Sequence, residues 1–131
     1  MTEDQQDLIR ELCSSIHLDN ERKGFWDNQR EFGTLLMLVT SELAEGLEAD
    51  RKNRWFKLLD IKKESFDWVN EPEKSKAKFS RTVKDTAEDE IADAVIRLFD
   101  LAGGLGIDLG WHIKNKLEYN RTREARHGKN Y

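Results

Sequence analysis

The chain has 131 residues, a length that suits one domain and leaves little room for a second. Its 26 acidic and 22 basic side chains give a formal net charge of −4, which argues against a nucleic-acid partner. One proline and eight glycines speak against a turn-rich all-β protein, and a single cysteine, Cys13, excludes an internal disulfide framework or a cysteine-ligated metal cluster.

Leu, Ile, Val and Phe make up 32 of the 131 residues, enough for a core, though a thin one that partner subunits would help to complete. No apolar run reaches the roughly 20 residues that span a bilayer. The acidic start, MTEDQQDLIREL, lacks the basic-then-apolar order of a signal peptide. These features predict a soluble, cytoplasmic, helical protein with no membrane partner, and 1–131 as a single domain.

Thr2 to His17 reads as a first helix, with Thr2 as its cap and Leu8, Ile9, Leu12 and Ile16 on one stripe. Leu18 to Asn28 breaks that pattern and reads as a loop. Glu31 to about Lys52 is the strongest helical segment, because Phe32, Leu36, Val39, Leu43 and Leu47 recur at three and four. From Asn53 to Asp85 the periodicity weakens to one or two short helices with loops, one of them over Trp55 to Ile61, and a basic stretch from Lys74 to Lys84 follows Pro72. Thr86 to Ala102 is helical again, with acids near its positive N-terminus and Gly103, Gly104 and Gly106 to end it. A last helix starts at the N-cap Asp108 and runs to about Arg126. The sum is an all-α fold, an antiparallel bundle of four to five helices.

Glu42 and Glu45 stand one helical turn apart. Glu42 falls within the apolar arc of its helix, Glu45 on the border and Glu48 on the opposite side. A carboxylate on an apolar face is costly unless it is paired or bound to a metal. Glu42 is therefore either a buried acid satisfied by Arg or Tyr, or a metal ligand. Glu90 and Asp93 form a matching pair on the later helix, on an arc shared with Asp89, Arg97 and Asp100 that also suits a solvated face. Two helices that each carry carboxylates one turn apart can converge four oxygen donors, the set that Mg²⁺ or Mn²⁺ prefers. No His pair stands at zinc spacing.

From Trp111 to Tyr131 six basic and two acidic residues give +4, which leaves −8 for the rest. Lys116, Asn120 and Arg123 share one helix face. They suit phosphate oxygens, or form a basic solvated face with a few ion pairs.

Together these segments resemble the MazG-like family of all-α nucleoside triphosphate pyrophosphohydrolases. The resemblance rests on GFWDNQREFGTLLMLVTSE (Gly24 to Glu42), SELAEGLEADR (Ser41 to Arg51), EDEIADAVIRLFDLAG (Glu88 to Gly103) and KLEYNRTREARHGKNY (Lys116 to Tyr131). The order E-x-x-E, E-x-x-D, K-x-x-Y-N-x-x-R is more specific than any one of them. Ser41 stands where the family has a first Glu. The 44 residues between Glu45 and Glu90 exceed the usual spacing, so 53–85 reads as an insertion.

The resemblance implies hydrolysis of a (d)NTP to the monophosphate and pyrophosphate. Glu42, Glu45, Glu90 and Asp93 would hold Mg²⁺, with Glu42 or Glu45 accepting the proton of the attacking water. Lys116, Asn120 and Arg123 would grip phosphate, and Trp26 would either stack on the base or plug the core. It also implies a homodimer or homotetramer. Ser41 and the insertion keep a non-catalytic helical interaction module open on the same fold, and a nucleotide-sensing regulator is a third reading.

Overall fold

The computed structural model describes residues 1–123, so the expected helix end near Arg126 and the terminal HGKNY stretch lie outside the described residues. Among the described residues the chain is all-helical, as expected. It contains α1 (Glu3–Arg22), α2 (Phe32–Arg51), α3 (Pro72–Thr82), α4 (Ala87–Gly104) and α5 (Leu109–Arg121), with 3₁₀ turns at Phe56–Leu58 and Lys63–Ser65 and no strand. No helix among them is long and apolar enough to cross a membrane.

Helix ends follow local chemistry. Thr2 starts α1 through a capping box: its Oγ1 accepts from the Gln5 amide at 3.2 Å, and Gln5 Oε1 accepts from the Thr2 amide at 2.8 Å. The helix then runs past His17 to Arg22, because residues 18–22 contain no breaker. It stops at Gly24, whose φ of 84° completes a Schellman motif in which the Phe25 amide donates to the Asn20 carbonyl at 3.1 Å. The same motif ends α2 on Asn53 (φ 55°) and α4 on Gly106 (φ 64°). Gly103 and Gly104, expected to stop the fourth helix, lie inside it. Asp108 caps α5 as expected, accepting from the Trp111 amide at 3.0 Å, and among the described residues that helix covers Leu109–Arg121. Trp55 to Ile61 yields only a 3₁₀ turn, whereas Pro72 at the first position opens a full α3 over the basic stretch.

The chain divides into two compact units, one from Met1–Gln29 with the described chain from Phe99 onward, the other Arg30–Leu98. In the first, α1 lies against the C-terminal part of α4 and the start of α5. A Cβ on Gly103 would stand 2.5 Å from the Cys13 carbonyl oxygen, and one on Gly110 2.7 Å from that of Gln6, so these helices meet backbone to backbone. Arg10 holds both carboxylate oxygens of Asp108 at 3.0 Å. Asp100 gathers three donors: His17 Nδ1 at 2.9 Å, Asn20 Nδ2 at 2.8 Å and Trp26 Nε1 at 2.8 Å.

In the second unit α2 runs antiparallel to the N-terminal part of α4, with Glu42 beside Arg97, Gly46 beside Glu90, and the Ala87 amide donating to the Arg54 carbonyl at 2.9 Å. The apolar stripe expected to be the core face of α2 is mostly not buried. Leu35, Val39, Glu42 and Ala49 are the buried residues, whereas Phe32, Leu36, Leu43 and Leu47 are exposed. Ala87 and Ala94 of α4 supply small buried partners in the same unit. The core is therefore as thin as the composition suggested.

Candidate metal centre

Glu42 and Glu45 come from consecutive turns of α2, and Glu90 from the first turn of α4. The helices lie close at Gly46: a Cβ there would lie 3.4 Å from Glu90 Cβ, in ordinary contact. One ligand oxygen from each of Glu42, Glu45 and Glu90 falls within 4.8 Å of the others. A single cation bound at roughly 2.1–2.6 Å to each oxygen fits that spacing. The donors are all carboxylate oxygens, which suits hard divalent cations as a class.

The three acids are not equivalent. Glu45 is exposed, whereas Glu42 keeps only 7% and Glu90 only 4% of its surface open. Arg97 Nε donates to Glu42 Oε1, so the predicted buried acid does have an Arg partner. The Glu90 amide donates to the Thr86 carbonyl at 3.1 Å, but its carboxylate makes no hydrogen bond or ion pair among the described residues. Burial first, and then the charges of Glu45, Asp89, Asp93 and Glu42, push its carboxyl from 4.5 up to about 7. The arc of Glu90 suited a solvated face by spacing alone. It is buried because α2 covers it.

Its neighbours do other work. Glu88 accepts from the Phe56 amide at 2.8 Å and the Lys57 amide at 3.0 Å. Burial opposes ionisation of Glu88, but those amides hold its carboxyl below the ordinary range. Asp89 accepts from the Asp85 amide at 2.9 Å, fixing the turn before α4. Asp93, the fourth expected ligand, lies outside the three-carboxylate cluster but lines the same cavity of about 680 Å³. Its carboxyl is raised by burial, and by Asp89 and Glu42.

The remaining expected residues belong to the other unit. Trp26 packs against Gly104, meets His17 edge-on at 4.7 Å between ring centres, and donates to Asp100. Lys116, Asn120 and Arg123 are exposed, with Lys116 Nζ 4.9 Å and the Arg123 guanidinium 5.7 Å from the centre of the Tyr119 ring. Arg97 was missed as a site residue, although it stands seven residues after Glu90 and hence on the same helix face. Asp100 was missed as a half-buried acceptor. Its three partners lie about 80 residues away in sequence, beyond any local pattern. Comparisons with family models, curated proteins and solved structures gave no match to this chain.

Proposed function

We propose that this protein is a Mg²⁺-dependent nucleotide pyrophosphohydrolase of the MazG-like kind, converting a (d)NTP to the monophosphate and pyrophosphate in the cytoplasm. The observation that carries this is the convergence of Glu42, Glu45 and Glu90, with Glu90 buried and unpaired, beside a cavity of nucleotide size. A buried carboxyl among like charges is costly in isolation, and a divalent cation removes that cost. When bound, Mg²⁺ (or Mn²⁺) would neutralise phosphate charge and lower the pKa of water.

The chain's own residues divide the remaining work. Glu42 is oriented by Arg97 and, with Glu90, forms the buried part of the ligand set. Glu45, open to solvent, accepts the proton of the water whose oxygen bonds to the α-phosphorus as the bond to the pyrophosphate oxygen breaks. Asp93 adds negative charge to the cavity. Lys116, Asn120 and Arg123 enter as phosphate contacts through the resemblance alone.

A nucleotide sensor without turnover is favoured by one observation, the Arg97 contact that already occupies an oxygen of Glu42. The purified protein, with Mg²⁺ or Mn²⁺ and a broad nucleotide panel, should release pyrophosphate and not orthophosphate. Binding without release would assign the sensor; neither binding nor release would leave the interaction module.

The partner in this proposal is a second copy, in a homodimer or homotetramer. Leu36, Leu43 and Leu47 of α2 and Ile91, Val95 and Leu98 of α4 are exposed, and Leu43, Leu47 and Ile91 line a shared groove of about 280 Å³. Large apolar faces of this kind are uncommon on monomers. Sedimentation equilibrium should give a dimer or tetramer mass, and Leu43→Glu combined with Leu47→Glu a monomer. A monomeric wild type would remove this part of the proposal.

A further inference from the structure

The 680 Å³ cavity has two chemically different sides. One is the carboxylate cluster, where the buried, unpaired Glu90 lines the cavity. The other comes from the connection between α2 and α4: Phe56 of the first 3₁₀ turn, Phe79 of α3, and Val83 with Lys84 just after it.

Both rings are held in place while remaining partly open. Glu88 fixes the turn that carries Phe56 by accepting both the Phe56 and Lys57 amides. Phe79 is met edge-on by Phe66 at 6.4 Å and Trp68 at 6.0 Å between ring centres. Ser75 Oγ, buried in α3, accepts from the Asp67 amide at 2.8 Å and ties α3 to the segment that carries both partners. Glu88 is thus a positioning residue for the wall, although its carboxylate lies two residues from Glu90.

A cation at the carboxylates calls for an anionic group on the ligand, while Phe56, Phe79 and Val83 call for a flat apolar one. A nucleotide joins the two in one molecule, and aromatic side chains accept any nucleobase by stacking on its face. We propose that the connection between α2 and α4 is the base-binding wall of this site, with Phe56 and Phe79 as the contacts that stack on the base. Trp26 is not needed for this role, since its indole is already engaged by Asp100 and Gly104. The inference rests on the carboxylate cluster being a cation site for a nucleotide.

The test is calorimetric binding to the full chain with Mg²⁺. The probes are inorganic tripolyphosphate, which has no base, and the α,β-methylene analogues of the four common nucleoside triphosphates. At least one analogue should bind about tenfold or more tightly than tripolyphosphate. Phe56→Ala and Phe79→Ala should each erase about tenfold of that preference and leave tripolyphosphate binding unchanged, while Phe56→Tyr retains it. Because Phe79 also packs on Phe66 and Trp68, Phe56→Ala carries the test if Phe79→Ala does not fold. Tripolyphosphate binding with no gain from any base, or variants that weaken both probes alike or neither, overturns this inference alone. If neither probe binds with Mg²⁺ or Mn²⁺, the cation-site proposal falls and this inference falls with it.

Discussion

Glu90→Gln is expected to raise the melting temperature of the metal-free protein at pH 8 while cutting Mg²⁺-dependent pyrophosphate release on the order of 10²–10³-fold. The opposite signs share one cause. The carboxyl of Glu90 is pushed from 4.5 to about 7 by burial and by neighbouring acids. Below pH 4.5 the group is protonated whether the chain is folded or not, and it costs nothing. Between 4.5 and about 7 the folded state binds the proton more strongly, so stability falls as pH rises, and above about 7 the full cost is present. At about 1.4 kcal/mol per unit, a rise from 4.5 to about 7 makes that cost about 3 kcal/mol at pH 8, or several degrees for a chain of this size.

Gln keeps the shape and drops the charge, so its metal-free melting profile should be flatter across this window. Mg²⁺ at pH 8 should raise the melting temperature of the wild type by mass action and leave that of Glu90→Gln almost unmoved. A variant no more stable than wild type at pH 8 without metal would show that Glu90 is not a strained buried carboxyl. One that keeps the Mg²⁺ shift would show that it is not a ligand.

Gly103→Ala should destabilise the protein by about 2 kcal/mol, although alanine is the better helix former by about 1 kcal/mol. Its Cβ would meet the Cys13 carbonyl oxygen at 2.5 Å and His17 Cβ at 2.6 Å. The first obstacle is backbone and cannot rotate away, so α1 must move off α4. That movement strains the bonds from His17 and Asn20 to Asp100. Gly33→Ala is the control: a Cβ there meets nothing within 4 Å, and the variant should be neutral or stabilised by up to about 1 kcal/mol in a denaturant titration. Equal responses at the two positions would mean that α1 and α4 are not in backbone contact.

Most of the helices were legible in the sequence, because capping and termination are local. Thr2 and Asp108 announced themselves as caps, whereas Pro72, which opens α3, was read only as the residue before a basic stretch. The misplaced boundaries have local explanations as well. Gly24 and Gly106 are the left-handed stops, while Gly103 is glycine because another helix lies against it. Helical spacing also ordered the α2 acids correctly, with Glu42 buried and Glu45 and Glu48 exposed.

Spacing could not say which of two adjacent apolar stripes on α2 would meet α4. Contact with α4 settled on the side with Leu35, Val39, Gly46 and Ala49, where backbones can approach, and left Leu36, Leu43 and Leu47 exposed. The same choice of face determined the site. By itself the sequence determined a helical chain with a thin core and carboxylates one turn apart on two helices, since those follow from composition and a 3.6-residue period. Only tertiary structure decided that Glu90 is buried and unpaired, that Asp93 stands outside the cluster, and that Phe56 and Phe79 share its cavity. Those outcomes depend on which faces of separate segments meet, and a helical period carries no record of the partner.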